Sequence, residues 1–387
     1  MPIKYTPYLL DSCTGKPPLG CRYCDRGTKM VLYITGICSR NCFYCPLSED
    51  KKGKDVIYAN ERPVQGDRWL EGIIQEAERM KALGTGITGG DPMLFPERTK
   101  QVIKLLKDRF GNRHHIHLYT SGPFDADLLA DVKEAGLDEI RFHPPAEGGH
   151  LFRFMGSNAE EGEPLEAAIH HDLISAARKC GLQVGIEIPA IPGVDGDIDY
   201  PGGLKTLLDY AAREDLEFVN INELEASHTN AEAMKGMGYS LVDISMAIEG
   251  SRELAWESIN QTMSIHPESR TIFHFCSSVY KDSVQLRNRL RRTAANVRRQ
   301  YEVTTRDGTI LRGVIETEHP DIIHDRIVEE FGVPDDLISM KGNLLHIAPW
   351  VLEEIHQDID GLCYISEAYP TWDALEVERI PLDRSDG

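Results

Sequence analysis

Short apolar runs alternate with longer stretches of helical periodicity over most of the chain. Met30 to Ile34 is apolar, leads to Gly36, and predicts a buried strand feeding a loop. Trp69, Leu70, Ile73, Ile74, Ala77, Met80 and Leu83 recur at helical spacing behind Asp67, a candidate N-cap, and Gly84 closes that helix. Gly86 to Thr88 then predicts a short strand, and Pro96 opens a helix with the stripe Val102, Ile103, Leu105, Leu106 and Phe110. The alternation continues: strand 115–120, helix 126–135, strand 139–143, helix 165–180, strand 183–188, helix 204–213, strand 217–222. Six strands separated by helices imply a parallel sheet in an α/β fold.

The flanks read differently. The first thirty residues hold Pro2, Pro7, Pro17, Pro18, Gly15 and Gly20 and predict an irregular leader, neither helix nor strand. Residues 240–263 read as helical and lead to the apolar stretch 271–276. A polar, arginine-dense helix is expected over 282–300. Beyond it, Tyr301 to Leu311 with Asp307-Gly308 reads as a hairpin, followed by a helix at 321–331. The expected organisation is a leader (1–29), an α/β core (30–239), a helical extension (240–300) and a small α+β appendage (301–387).

Charge and cysteine usage narrow the classes. No stretch is long and apolar enough to span a membrane, and the N-terminus lacks a signal-peptide layout, so the expected compartment is the cytoplasm. A formal charge of −20 argues against indiscriminate binding to nucleic acid or anionic membrane. It leaves room for a local basic patch, and Arg287, Arg289, Arg291, Arg292, Arg298 and Arg299 offer one. Such a patch suits RNA, a phosphorylated substrate or an acidic partner, but charge runs are more commonly solvated faces. Nine cysteines, clustered rather than spread, suit metal ligation better than a disulfide framework.

The tightest cluster is Cys38-Ser39-Arg40-Asn41-Cys42-Phe43-Tyr44-Cys45-Pro46, directly after the first strand. Three thiols on one loop can converge on one centre. Iron–sulfur clusters normally take four cysteines, so a loop supplying three leaves one iron open to a non-protein ligand. A rival reading pairs Cys21-x2-Cys24 with Cys42-x2-Cys45 across seventeen residues as a zinc knuckle without catalysis, which leaves Cys38 unexplained.

The C-x3-C-x2-C spacing, with an aromatic residue before the last cysteine, resembles the signature of the radical S-adenosylmethionine (SAM) superfamily. The resemblance implies that Cys38, Cys42 and Cys45 hold a [4Fe–4S] cluster whose open iron is chelated by SAM. It also implies that one electron cleaves SAM to methionine and a 5′-deoxyadenosyl radical, which abstracts hydrogen from a substrate. Tyr44 sits where the family's adenine-contacting aromatic lies. Thr88-Gly89-Gly90-Asp91-Pro92, at the end of the second strand, looks like the family's GGE motif for the SAM amino group, with Asp91 in place of Glu. The six strand–helix units resemble the partial (β/α)6 TIM-like barrel of these enzymes, whose ligands bind at the C-terminal strand ends.

By position, Ser121 is a candidate contact to the methionine part of SAM, Arg141 and His143 to its ribose or carboxylate, and Glu187 to the adenine side. Asn222 closes the sixth strand. The chain as a whole resembles mostly archaeal radical SAM proteins of no settled substrate, grouped with the pyruvate formate-lyase activating enzyme. That enzyme is shorter and lacks the leader cysteines and the C-terminal appendage. The resemblance implies a one-electron donor such as ferredoxin or flavodoxin. It leaves the substrate as a macromolecule such as tRNA or protein, or the glycine of a glycyl-radical enzyme. A second centre is expected from Cys13, Cys21, Cys24 and Cys276, either zinc or an auxiliary iron–sulfur cluster. Cys180 and Cys363 are expected to be structural.

Overall fold

A computed structural model describes residues 11–144, 166–193, 203–242 and 245–383. Pro2 and Pro7 of the leader, and Leu165 at the start of one expected helix, lie outside the described residues. The chain divides into two compact units, residues 1–77 with 82–285, and residues 78–81 with 286–387.

The first unit holds β1 (Asp11–Cys13), α1 (Leu19–Asp25), β2 (Lys29–Tyr33), β3 (Tyr58–Ala59), β4 (Arg62–Pro63), α2 (Trp69–Arg79), β5 (Gly84–Thr88), α3 (Pro96–Phe110) and β6 (His115–Thr120). There follow α4 (Asp127–Glu134), β7 (Glu139–Phe142), α5 (Glu166–Lys179), β8 (Gln183–Ala190), α6 (Leu204–Arg213) and β9 (Phe218–Glu223). The last elements are α7 (Ala231–Gly236), α8 (Ser251–Ile265), β10 (Ile272–Cys276) and α9 (Ser278–Tyr280). The strands form one open sheet in the order β1-β10-β9-β8-β7-β6-β5-β2-β3-β4. From β2 to β10 every neighbouring pair is parallel, while β1 and the β3–β4 hairpin add antiparallel edges.

Period-two alternation sorts the strand residues into two buried layers. Met30, Leu32, Ile87, Ile116, Leu118, Ile140, Phe142, Val184, Ile186, Val219 and Ile221 are fully buried and make the apolar layer beneath the helices. The residues between them, including Lys29, His117, Tyr119, Arg141, Glu187, Asn220 and Asn222, face the other way and are mostly polar. Helix α1 packs on that polar face, against β2, β5 and β6. Its Gly20 lies so close that a Cβ there would sit 2.6 Å from the His117 ring and 2.7 Å from the Arg141 guanidinium.

Two expectations change. Among the described residues the sheet has seven parallel strands, because Ile272–Cys276 follows α8 as one more helix–strand unit and joins β9 in register. The leader is not irregular throughout: Asp11–Cys13 pairs with β10, and Leu19–Asp25 is helical. That helix is seven residues long with no side-chain cap, so its stability comes from tertiary packing, which periodicity does not report.

The second unit contains α10 (Arg287–Val297), β11 (Val303–Thr304), β12 (Ile310–Glu316), α11 (Pro320–Glu329), β13 (Ile338–Lys341), β14 (Leu344–Ile347), α12 (Pro349–Ile355), β15 (Leu362–Ala368) and β16 (Glu376–Pro381). All its pairings are antiparallel, over a core that includes Ile315, Ile327, Leu345, Ile347, Leu352 and Cys363. The arginine helix is continuous with a π turn over Lys281–Leu286 and ends at Val297, three residues short of the expected end, and Arg292 uses its guanidinium to hold the carbonyls of Met80 and Lys81. Arg298 donates to the carbonyl of Glu302. Those two side chains are therefore engaged within the unit.

Candidate functional site

Where β2 ends, the chain must turn sharply to present the cysteine loop. The Ile34 N–H still donates to the Thr88 carbonyl (2.9 Å), and Gly36 exchanges backbone bonds with Lys54 and Gly53. A Cβ on Gly36 would lie 1.7 Å from the Lys51 carbonyl oxygen, so only glycine fits. From the neighbouring strand, the Gly90 N–H donates to the Thr35 carbonyl (2.6 Å) and the Asp91 N–H to the Ile37 carbonyl (2.9 Å). A Cβ on Gly90 would meet the Ile37 carbonyl oxygen at 2.1 Å, and one on Gly89 the Thr35 carbonyl oxygen at 2.4 Å. The glycine pair thus braces the root of the cysteine loop, a role beyond approach to a ligand.

The loop opens on a cavity of about 560 Å³, a size suited to a small-molecule ligand. Cys38, Cys42, Cys45 and Tyr44 line it, with Gly89, Gly90, Ser121, His143, Glu187 and Asn222 from the strand ends. Lys29 and Val31 on β2 share this cavity with Glu223 beyond β8, so the sheet curves around it. Burial pushes the Cys38 thiol up, against the hydrogen bonds it accepts from the Arg40 N–H and shares with Ser121. A metal there would displace that proton. The donor set fits an iron–sulfur cluster: three thiols from one loop face one cavity, and the nearby carboxylate of Asp91 is turned away.

Asp91 does not line the cavity and is 2% exposed. Its carboxylate accepts from the Met93 N–H (3.0 Å), the Thr120 hydroxyl (2.9 Å), and the Ser121 N–H and hydroxyl (3.0 and 2.9 Å). It clamps the end of β6 to the end of β5 and caps the following turn. Arg141 also lies behind the wall, 1% exposed, with Glu139 and Glu187 each at 2.6 Å. Burial opposes ionisation of Glu187, but Arg141 and Lys29 outweigh it and hold its carboxyl below the usual range. Asn222 donates to the other Glu187 oxygen at 3.0 Å.

His143, which the sequence places with Arg141 at the end of the fourth expected strand, completes the site. Its Nδ1 is 2.8 Å from the Glu187 carbonyl and its Nε2 is 2.8 Å from the Tyr44 hydroxyl. A carbonyl only accepts, so Nδ1 carries the proton and Nε2 accepts from Tyr44. This chain fixes Tyr44, whose carbonyl also takes a hydrogen bond from Asn230. The position of His143, the last residue of the fourth expected strand and one past the end of β7, was the available signal.

The second cysteine set does not gather. Cys21 lies against Asn220 (3.7 Å) and Arg141 (3.6 Å), while Cys24 donates to the Gln285 side-chain oxygen Oε1 (3.1 Å). Gln285 in turn donates to Cys276 (3.4 Å), and Cys13 lies opposite His274 on the β1–β10 pair. Among the described residues no three His, Cys, Asp or Glu side chains stand close enough to hold an ion, those of Cys38, Cys42 and Cys45 included, but of the two cysteine sets only the latter three line one cavity. The expected zinc or auxiliary cluster therefore finds no support. The leader is held by strand pairing and by α1 on the polar face.

The pattern of the Radical SAM superfamily matches residues 32–159, and that of a domain of unknown function (DUF8061) matches residues 308–382. The "Putative glycyl-radical enzyme activating enzyme" of Methanocaldococcus jannaschii is 39% identical over 384 residues, 96% of this chain and 95% of that protein. The "Probable GTP 3′,8-cyclase" of Pyrococcus abyssi is 26% identical over 113 residues, 29% of this chain and 33% of that protein. Among solved structures, methylornithine synthase aligns with a TM-score of 0.39 at 12% identity, covering 65% of this chain and 71% of that one. Among the described residues no helix is long and apolar enough to cross a membrane. With 39% identity to the archaeal relative over nearly its whole length and a cysteine loop on its cavity wall, the chain belongs to the radical SAM superfamily and is a radical SAM enzyme.

Proposed function

We propose that the protein generates a radical on a glycine of a partner protein, as a glycyl-radical enzyme activase. The observation that carries the radical chemistry is the placement of Cys38, Cys42 and Cys45 on the wall of one cavity with Tyr44, Ser121 and Asn222. The name of the Methanocaldococcus relative supports the choice of substrate. Cys38, Cys42 and Cys45 would hold a [4Fe–4S] cluster, with SAM on its open iron. Bound there, the pair supplies a 5′-deoxyadenosyl radical and methionine after one electron arrives from a donor such as ferredoxin or flavodoxin.

The chain's own part is placement and exclusion. Gly36, Gly89 and Gly90 set the cysteine loop, Asp91 locks the strand ends beneath it, and His143 fixes the Tyr44 ring. Arg141 holds Glu187 in place, so the wall presents a defined edge to the nucleoside. The curved sheet is read as a partial barrel, and α8 and β10 extend that core past residue 239. We place its end near Gln285, with the leader ahead and the C-terminal region behind. The arginine helix gives a tRNA substrate less support, since Arg292 and Arg298 are engaged with backbone carbonyls.

The test uses anaerobically reconstituted protein with SAM, dithionite and a candidate partner protein. About four irons per chain, 5′-deoxyadenosine, and a glycyl-radical signal by electron paramagnetic resonance on the partner are expected. Deoxyadenosine without any glycyl radical would sink the activase reading and leave the radical SAM chemistry standing.

A further inference from the structure

Three glutamates stand on the cavity wall, and two of them are engaged from behind. Glu187 takes Arg141 and Asn222. Glu223 takes Arg252 at 3.0 Å and the Ser278 N–H at 2.9 Å, and it is 2% exposed as a side chain. Neither Arg141 nor Arg252 lines the cavity. Glu225 differs, because its cation, Lys281 at 2.5 Å, is itself on the wall. Both side chains are about 30% exposed, and neither makes another hydrogen bond among the described residues.

The local backbone explains how Lys281 reaches this place. Ser277 caps α9 by accepting from the Tyr280 N–H (3.1 Å), and the helix then widens into a π turn over Lys281–Leu286. The Ser283 hydroxyl donates to the Val279 carbonyl (2.6 Å), an intrusion into the helical ladder of the kind that accompanies such turns. Lys281 is the first residue of the widened turn and points to the end of β9. Burial works against its charge, but Glu225 beside it outweighs that, so the amine stays protonated.

Two opposite charges that face one space and hold mainly each other can be parted by a suitable ligand. That ligand must offer an acceptor oxygen to the ammonium and a donor N–H to the carboxylate. The pair is neutral as a unit, so a phosphate would meet Glu225 unfavourably, whereas a neutral dipolar group satisfies both. Ile188, Pro189 and Leu224 give the same wall an apolar surface beside the pair. We infer that Glu225 and Lys281 are the substrate's polar anchor and take a peptide unit. Lys281 donates to its carbonyl oxygen and Glu225 accepts from its N–H. The inference rests on the reading that the substrate is a protein, and it names the part of the wall that recognises it.

The probe is N-acetyl-Ala-Gly-Ala amide, with free glycine and inorganic phosphate as competitors, in the presence of SAM. Binding to reconstituted wild type, Lys281→Met, Glu225→Gln and Lys281→Arg is measured by equilibrium dialysis, together with iron content and SAM binding. The wild type is expected to retain the peptide, and the Met and Gln variants to lose about tenfold or more in affinity. Lys281→Arg keeps a cation beside Glu225 and should stay within about threefold. Iron and SAM binding should be unchanged in all four.

Equal peptide affinity in the variants would overturn the proposal, as would no peptide retention by the wild type. Glycine or phosphate displacing the peptide at lower concentration than the peptide's own would overturn the ligand class. Loss in Lys281→Arg as deep as in Lys281→Met would trace the effect to packing, and a parallel loss of SAM binding would assign the pair to SAM. Radical formation is not read here. Pair-dependent binding without any glycyl radical would uphold this site and count only against the activase reading.

Discussion

Two sets of cysteines in one unit meet different fates. Cys38, Cys42 and Cys45 share a short loop, and that loop opens on a cavity. Cys13, Cys21, Cys24 and Cys276 come from a strand, a helix and a second strand; Cys21 lies against Asn220, while Cys24 and Cys276 are bridged by the Gln285 side chain. Both sets looked like ligands by count. What separates them is whether one stretch of backbone, braced by glycines, delivers the sulfurs to one space.

The largest effect that would test this contrast is Cys42→Ala. Iron should fall from about four per chain to near background, with deoxyadenosine formation lost, while Cys21→Ala and Cys276→Ser keep both. Iron loss in the second pair would restore an auxiliary centre. Next comes the brace itself. Gly90→Ala forces the loop root away from a carbonyl now 2.1 Å from the added Cβ. Overpacking of this kind typically costs about 1–3 kcal/mol, and thermal melting should show it together with reduced iron uptake.

Acid should act on the layer under α1. Burial, then the cations Arg141 and Lys29, hold His117 well below its usual value, so it is neutral in the fold. The unfolded chain takes up a proton near pH 6.5 that the folded chain refuses, so stability rises with pH and is lost as pH falls below that value. The loss deepens as pH falls further below that value. Urea unfolding at pH 7.5 and 5.5 reads the slope, and His117→Gln should flatten it. His114, lowered to about 4 by burial and then by Lys107, adds a slope of the same sign between about 6.5 and 4. Smaller again is Tyr44→Phe, which removes one hydrogen bond to His143, about 1 kcal/mol. It should raise the SAM concentration needed for half-maximal deoxyadenosine formation several-fold with iron intact. Smallest is Cys24→Ser, which keeps a donor to Gln285 and should move the melting temperature least.

Much of the fold could be read from local pattern. The strands 115–120, 139–142 and 183–190 and the helices 96–110 and 204–213 fall where periodicity placed them, because each buries one face under its neighbours. The seventh parallel strand was visible as an apolar stretch but not as part of the sheet, since pairing with β9 is a long-range choice. Helix α1 escaped because proline and glycine dominate its surroundings and its support comes from β5 and β6. Asp91 shows the same limit within the site: its neighbours in sequence point to a ligand, whereas Thr120 and Ser121, thirty residues on, decide where its carboxylate goes.

Sequence alone determined the strand–helix alternation, the spacing of the three thiols and the glycines that a tight loop root needs. These are local properties, set by side-chain period and by backbone sterics within a few residues. Only the tertiary structure decided which cysteines share a space, that His143 orients Tyr44, and that Lys281 faces Glu225 across the cavity wall. Those depend on strand order and on a widened helical turn, and such contacts join residues 56 or more positions apart. No local rule carries that information, because a charge in the sequence is an exposed face until packing gives it a partner.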